Sequence, residues 1–193
     1  MQCVCLPRYT GPSCSVPRLL ESATIGGLPA NLSSCTVRSR PRRIISALPF
    51  NHEFGLLEAR LHDLHTVVDV FIIQESNFTN SGSENKLRLK QRLEQGGWQF
   101  RDKIVFIERT QPPPGGFRCA PKYLQNANTM IPASITCRCC SNGELADADM
   151  RRHLGREGLR RLTEVRLDDL YIYNDSDEIP RAELLLFLKL HDG

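Results

Sequence analysis

Hydrophobic and polar positions divide the chain near residue 44. Before it no period of 2 or 3.6 holds; after it, apolar runs and helical stripes alternate. Ile44-Ile45-Ser-Ala-Leu48 is a short apolar run that predicts a strand, broken by Pro49. Phe54, Leu57, Leu61 and Leu64 recur at helical spacing and predict an amphipathic helix over 52–64, with Asn51 as its N-cap. Val67 to Ile73 is β-branched and apolar, which predicts a buried strand. Lys86 to Gln95 predicts a helix closed by Gly96-Gly97. Lys103 to Ile107 and Leu170 to Tyr173 predict two more strands, and Ala182 to Leu190 a last helix. Between those strands, 145–164 predicts a helix with Met150, Leu154, Leu159 and Leu162 on its apolar side. Arg151, Arg152, Arg156, Arg160 and Arg161 fall on its wet face. Strands alternating with helices imply an α/β layer with a largely parallel sheet. Ligands of such sheets sit beyond the carboxyl ends of the strands.

Composition narrows the class. With 40% hydrophobic and 24% charged residues, the chain is not low-complexity or strongly disordered. A net charge of +3 gives no case for nucleic acid as a partner. The apolar run Leu184 to Leu188 is far short of the roughly 20 residues a membrane span needs. The eight cysteines, at 3, 5, 14, 35, 119, 137, 139 and 140, suit an oxidising compartment. The glycosylation triplets at Asn31, Asn77 and Asn174 agree. No secretory signal opens the chain, so it is expected to be a piece of a longer protein.

The first 17 residues carry Cys3-Val-Cys5 and, past Gly11, Cys14. This resembles the C-terminal half of an EGF-like module, and the resemblance implies a Cys5–Cys14 disulfide. Residues 18–43 read as a linker, and Arg38, Arg40, Arg42 and Arg43 as a solvated basic run. About 117–143, with Cys119, Cys137, Cys139 and Cys140, reads as a disulfide-tied insertion, with a zinc site as the sharper alternative.

The strongest chemical signal is Asn174-Asp175-Ser-Asp177-Glu178-Ile-Pro180, directly after the fourth strand. In an extended segment, alternate side chains project the same way, so Asp175 and Asp177 leave the sheet edge together. Such a pair is a hard-oxygen site for Mn²⁺ or Mg²⁺, with positions left open for diphosphate oxygens. An EF-hand loop requires Gly where Pro180 stands. A D-x-D phosphatase carries its acids on the first strand, whereas these come last. Glu75, after the second strand, is placed to accept hydrogen bonds from a ribose or uracil, or to be a satisfied loop carboxylate. His52-Glu53 starts a helix, where anions are favoured. No Ser/His/Asp or Cys/His set and no Gly-rich phosphate loop is legible.

Several stretches together resemble glycosyltransferase family 17: Arg42-Arg43-Ile-Ile, Asn51-His-Glu-Phe54, Val67-Val-Asp69, Glu75-Ser-Asn-Phe-Thr79, Pro113-Pro-Gly-Gly116, Asp168-Asp169, Asp175-x-Asp177-Glu178-Ile-Pro180 and Leu186-Phe-Leu-Lys-Leu190. The resemblance implies a GT-A-like domain over 44–193, of which this is the N-terminal, nucleotide-sugar-binding part. It implies transfer of N-acetylglucosamine from UDP-GlcNAc in β1,4 linkage to the core mannose of N-glycans on glycoproteins. It implies inversion at the anomeric centre and a divalent cation, Mn²⁺ or Mg²⁺, on Asp175 and Asp177. Donor-binding roles are implied for Glu75, Asn51 and Arg151, with the catalytic base beyond Gly193. A Golgi type II membrane protein is implied for the full-length form, its anchor lying outside this chain. The rival expectation is a secreted EGF-like binding module in which the acids hold a structural cation.

Overall fold

The computed structural model describes residues 9–10, 14, 16–17, 24–25, 28–29, 36–79, 84–111 and 143–192. Parallel strands require long crossovers, which the helical stripes supply. The strands are β1 (Ile44–Phe50), β2 (Val70–Ser76), β3 (Ile104–Arg109) and β4 (Leu170–Tyr173). Helices α1 (Phe54–Leu64) and α2 (Arg88–Glu94) fill the first two crossovers. Helix α3 (Gly143–Arg160) fills the third, and α4 (Ala182–Leu190) follows β4. All pairings are parallel, and the sheet order is β3-β2-β1-β4.

That order dictates the layers. From β1 to β3 the chain steps one way across the sheet; from β3 to β4 it steps back over β1. Crossovers are right-handed, so reversing the direction moves the connecting helix to the opposite face. The burial pattern agrees. Ile44, Leu48, Phe71 and Ile73 pack with Leu57, Leu61 and Leu64 of α1, Leu89 and Leu93 of α2 and Leu185 of α4. Ile45, Ala47, Ile72 and Ile107 pack with Leu154 of α3 on the other side. Gly158 lets α3 lie close to the sheet: a Cβ there would stand 2.8 Å from Ile72 Cγ2.

The expected elements hold, with shifts at their ends and in some of their residues. Strand β1 continues through Pro49, because β4 pairs only as far as Ala47. The Asn174 N–H donates to the Ala47 carbonyl at 3.2 Å. Pro49, two residues on, faces the same side, where no strand asks for its missing N–H. Strand β2 starts at Val70, while Val67 and Val68 are buried in the turn before it. The N-cap position of α1 is Glu53, and no side chain caps the helix; Asn51 is engaged elsewhere. Leu159, assigned to the apolar side of α3, is exposed.

Arg38, Arg42 and Arg43 are not a solvated run. Their side chains are largely buried and pair with Asp168, Asp192 and Asp169 respectively, and Arg38 also with Asp192. Thr36–Val37 forms an antiparallel ladder with His191–Asp192, which follows α4. The stretch read as the end of a linker is therefore stitched to the last elements of the chain. Near the N-terminus, Tyr9–Thr10 pairs with Val16–Pro17 as a small antiparallel ladder. Cys14 is disulfide-bonded; Cys5, its expected partner, lies outside the described residues. So do Asn31 and the cysteines of 117–140. Among the described residues, no helix is long and apolar enough to cross a membrane.

Candidate functional site at the carboxyl edge of the sheet

The sheet reverses its order between β1 and β4. The connection leaving β1 runs to α1 on one face, and β4 is reached from α3 on the other, which makes the β1/β4 boundary the place where sheets of this kind bind ligands, beyond the carboxyl ends. Asn51, His52 and Glu53 follow β1; Asn174, Asp175, Ser176 and Asp177 follow β4. The sequence-predicted acids thus fall at the topological switch point, but in a turn over 175–178 that begins after the strand ends at Tyr173, not in the extended segment from which their common direction was expected.

A residue the sequence reading missed holds this loop in place. Arg60 of α1 has no exposed surface. Its Nη1 donates to the Asp175 carbonyl at 3.0 Å and its Nη2 to the Glu178 carbonyl at 2.7 Å. Burial lowers its pKa, partly offset by the nearby Glu178 and Asp175 charges. A guanidinium remains protonated in such surroundings. The signal was present: Arg60 falls in the stripe of Leu57, Leu61 and Leu64, where a charge is out of place. The loop also closes on itself, the Glu178 N–H donating to the Asp175 carbonyl at 3.1 Å.

Both oxygens of Asp175 have partners. The Tyr173 hydroxyl donates to Oδ1 at 3.1 Å. Arg151 Nη2, from α3, lies 3.5 Å from Oδ2. The Arg151 guanidinium rests over the Tyr173 ring, 4.8 Å from its centroid. Arg151 and Asp175 are nevertheless 47% and 43% exposed, so the pair is open to solvent and to ligands. Asp177 is exposed as well. Asn174 places a buried Oδ1 beside them with no hydrogen-bond partner among the described residues.

The structure treats the other expected residues differently. Glu75 lies within β2 rather than after it and is fully buried. Its Oε1 accepts the Leu89 N–H at 2.9 Å and its Oε2 the Lys90 N–H at 3.0 Å, capping the first turn of α2. Burial pushes this carboxyl up against those hydrogen bonds, which pull it down. Its oxygens therefore face α2, and the surface is not within their reach. Asn51 is exposed; its Oδ1 accepts from Asn85 Nδ2 at 2.9 Å, and the same nitrogen donates to the Ser76 carbonyl at 3.1 Å. This ties the exits of β1 and β2 together. Asn77 is half-buried in that bridge region, its carbonyl accepting the Asn85 N–H.

Two cavities lie away from the switch point. One of about 590 Å³ sits at the carboxyl end of β3, between Arg109 and the α3 residues Asp149, His153 and Arg156. There Arg109 pairs with Asp149, and His153 Nδ1 lies 2.7 Å from Gln74 Oε1. Burial and the Arg109 charge hold the His153 pKa below its ordinary value. The second, about 350 Å³, lies between His62, His65 and Lys103 at the amino edge of the sheet. The larger cavity has the volume, but the acids and the strand reversal are at Asp175, and chemistry outweighs volume in choosing between them.

The donor set suits a hard divalent cation: two accessible carboxylates with no thiol or imidazole beside them in the loop. Among the described residues no three His, Cys, Asp or Glu side chains converge. Protein ligands for a cation here would number one or two, leaving positions for water or ligand oxygens.

Comparison with known proteins decides the family. The family model described as Glycosyltransferase family 17 matches residues 16–112, just over half of the chain. The chain belongs to glycosyltransferase family 17. That match spans β1 to β3 and stops short of the acidic loop. Full-length similarity reaches further. The chain is 37% identical over 194 aligned positions to the beta-1,4-mannosyl-glycoprotein 4-beta-N-acetylglucosaminyltransferases of Rattus norvegicus and Homo sapiens, and 36% to that of Mus musculus. All of this chain is covered, but it spans only 31% of those family relatives' length. No solved structure matches it.

Proposed function

We propose that this chain is the donor-binding part of an N-acetylglucosaminyltransferase that takes UDP-GlcNAc and forms a β1,4 bond to the core mannose of N-glycans, with inversion. The observation that carries this reading is the acidic loop Asp175-Ser-Asp177 at the β1/β4 switch point, in a chain whose full length resembles enzymes named for that transfer. Asp175 and Asp177 are the residues to hold Mn²⁺ or Mg²⁺. A bound cation supplies charge neutralisation to a departing nucleoside diphosphate. Arg60 fixes the loop backbone, so the carboxylates need little reorganisation on binding. Asn51, at the exit of β1 and tied to Asn85, is the residue on the other side of the switch point to contact the donor. Glu75 serves this site indirectly, by fixing the start of α2 beside the strand exits.

Inversion also requires a carboxylate to take the proton of the attacking hydroxyl. In this reading that base, and most of the acceptor site, belong to the portion of the relatives' length that this chain does not span. The working place of the whole protein is the Golgi lumen, held there as a type II membrane protein.

Isothermal titration calorimetry with UDP and UDP-GlcNAc tests the reading. Binding is expected only with Mn²⁺ or Mg²⁺ present, and lost in the Asp175→Ala/Asp177→Ala variant. Nucleotide binding that survives in that variant would remove the metal assignment.

A further inference from the structure

We infer that Arg151 stands in for the cation on Asp175: it neutralises the carboxylate when no cation is bound, and turns to the diphosphate when cation and nucleotide enter together. This rests on the donor-site reading above and adds how that site rejects either ligand alone.

Three contacts carry the inference. Arg151 Nη2 lies 3.5 Å from Asp175 Oδ2, its Cζ sits 4.8 Å from the Tyr173 ring centroid, and the Tyr173 hydroxyl donates to Asp175 Oδ1 at 3.1 Å. The carboxylate proposed for the cation is thus already satisfied by one charge and one hydroxyl. A divalent cation on Oδ2 would place two positive centres against one oxygen, and their repulsion opposes binding of the bare ion. The guanidinium can leave at little cost, because it is 47% exposed and exposed ion pairs are weak. Its planar fork matches phosphate oxygens, which a nucleoside diphosphate brings to the same loop. The contact with the Tyr173 ring keeps it within reach during the exchange.

The consequence is linkage. The nucleotide gives Arg151 a new partner and so relieves the repulsion, and each ligand tightens the other by the same factor. Without Arg151 the cation binds more readily alone, and the nucleotide helps it less.

Electron paramagnetic resonance titration of Mn²⁺ into the 193-residue chain, with and without UDP, separates the possibilities. Arg151→Gln is expected to bind Mn²⁺ alone roughly 2- to 5-fold tighter, the range an exposed ion pair is worth. The tightening caused by UDP is expected to shrink about tenfold in Arg151→Gln. Arg151→Lys, which keeps the charge but not the fork, is expected to match the parent with Mn²⁺ alone and to lose part of the UDP effect. Unchanged or weaker Mn²⁺ binding in Arg151→Gln, with the UDP effect intact, overturns the inference and leaves the donor site standing. No Mn²⁺ binding by the parent chain, with or without UDP, overturns both.

Discussion

Arg60 and Asp175, 115 residues apart, are joined by a buried guanidinium-to-carbonyl hydrogen bond of 3.0 Å. Through it the helix after β1 grips the loop after β4 and ties the two sides of the switch point together. Arg60→Met fits the apolar stripe of α1 but removes the side-chain donor of the Glu178 carbonyl and leaves the Asp175 carbonyl with the Glu178 N–H alone. The expected result is a loss of about 2–4 kcal/mol in urea unfolding. UDP binding with Mn²⁺ is expected to weaken in the same variant. Unchanged nucleotide affinity in a destabilised Arg60→Met would confine Arg60 to the fold.

Asp169 sets an acid limit on stability. Its side chain is 5% exposed and takes two hydrogen bonds from Arg43, at 3.1 Å and 2.5 Å. Burial pushes its carboxyl up, but the Arg43 and Arg166 interactions outweigh this and leave it below its ordinary 3.8. The unfolded chain therefore takes up this proton first as pH falls. The stabilisation is complete above about pH 4 and is lost as pH drops through the folded value. Asp169→Asn is expected to be less stable at pH 7 by about 3 kcal/mol, a buried pair being broken. Melting curves between about pH 2 and pH 7 should show a flatter acid limb for the variant. Parallel acid limbs would contradict the assignment.

Glu75 has the opposite sign. Its carboxyl is raised above the ordinary 4.5 by burial, so the folded state takes up this proton before the unfolded chain does. Its contribution to stability increases as pH falls through the folded value. At neutral pH the carboxylate still caps two N–H groups of α2, a task Gln performs with only one oxygen. Glu75→Gln is expected to cost about 1–3 kcal/mol at pH 7, more at pH 4, and to speed amide exchange at Leu89 and Lys90.

Two glycines of α3 separate propensity from packing. At Gly155 the nearest atom to a new Cβ is Tyr171 Oη at 4.0 Å, and Gly155→Ala is expected to stabilise by up to about 1 kcal/mol. At Gly158 the new Cβ meets Ile72 Cγ2 at 2.8 Å and Cδ1 at 3.0 Å, so Gly158→Ala is expected to destabilise by about 1 kcal/mol net. Thermal melts of both variants check the pair; the same sign for both would show that helix propensity alone decides.

Local pattern revealed the elements and little about their partners. The run Leu170 to Tyr173 and the stripe Ala182 to Leu190 stand where hydrophobicity put them, because each buries its own apolar set. The acidic loop was legible for the same reason: it follows an apolar strand, and strand ends are where such folds bind. Sheet order was not legible, since an alternation of strands and helices is the same whichever strand lies beside β1. Arg38, Arg42 and Arg43 read as solvated because their acidic partners lie 126 to 154 residues away. Glu75 read as a loop acid because the pattern ended β2 three residues early, at Ile73 instead of Ser76. Arg60 was visible as an anomaly in its stripe, but its role depended on a loop in a distant part of the chain.

The central claim concerns where cation and nucleotide bind, and Mn²⁺ is paramagnetic, so it reports its own position. In amide-resolved NMR of the isotopically labelled chain, substoichiometric Mn²⁺ with UDP is expected to broaden the signals of 174–178 and 51–53, on the two sides of the switch point. Residues lining the His62/His65 cavity at the amino edge should stay sharp, and Thr110 and Gln111 of the Arg109/His153 cavity should broaden less than 174–178. Broadening centred on either cavity, or none at all, would contradict the account.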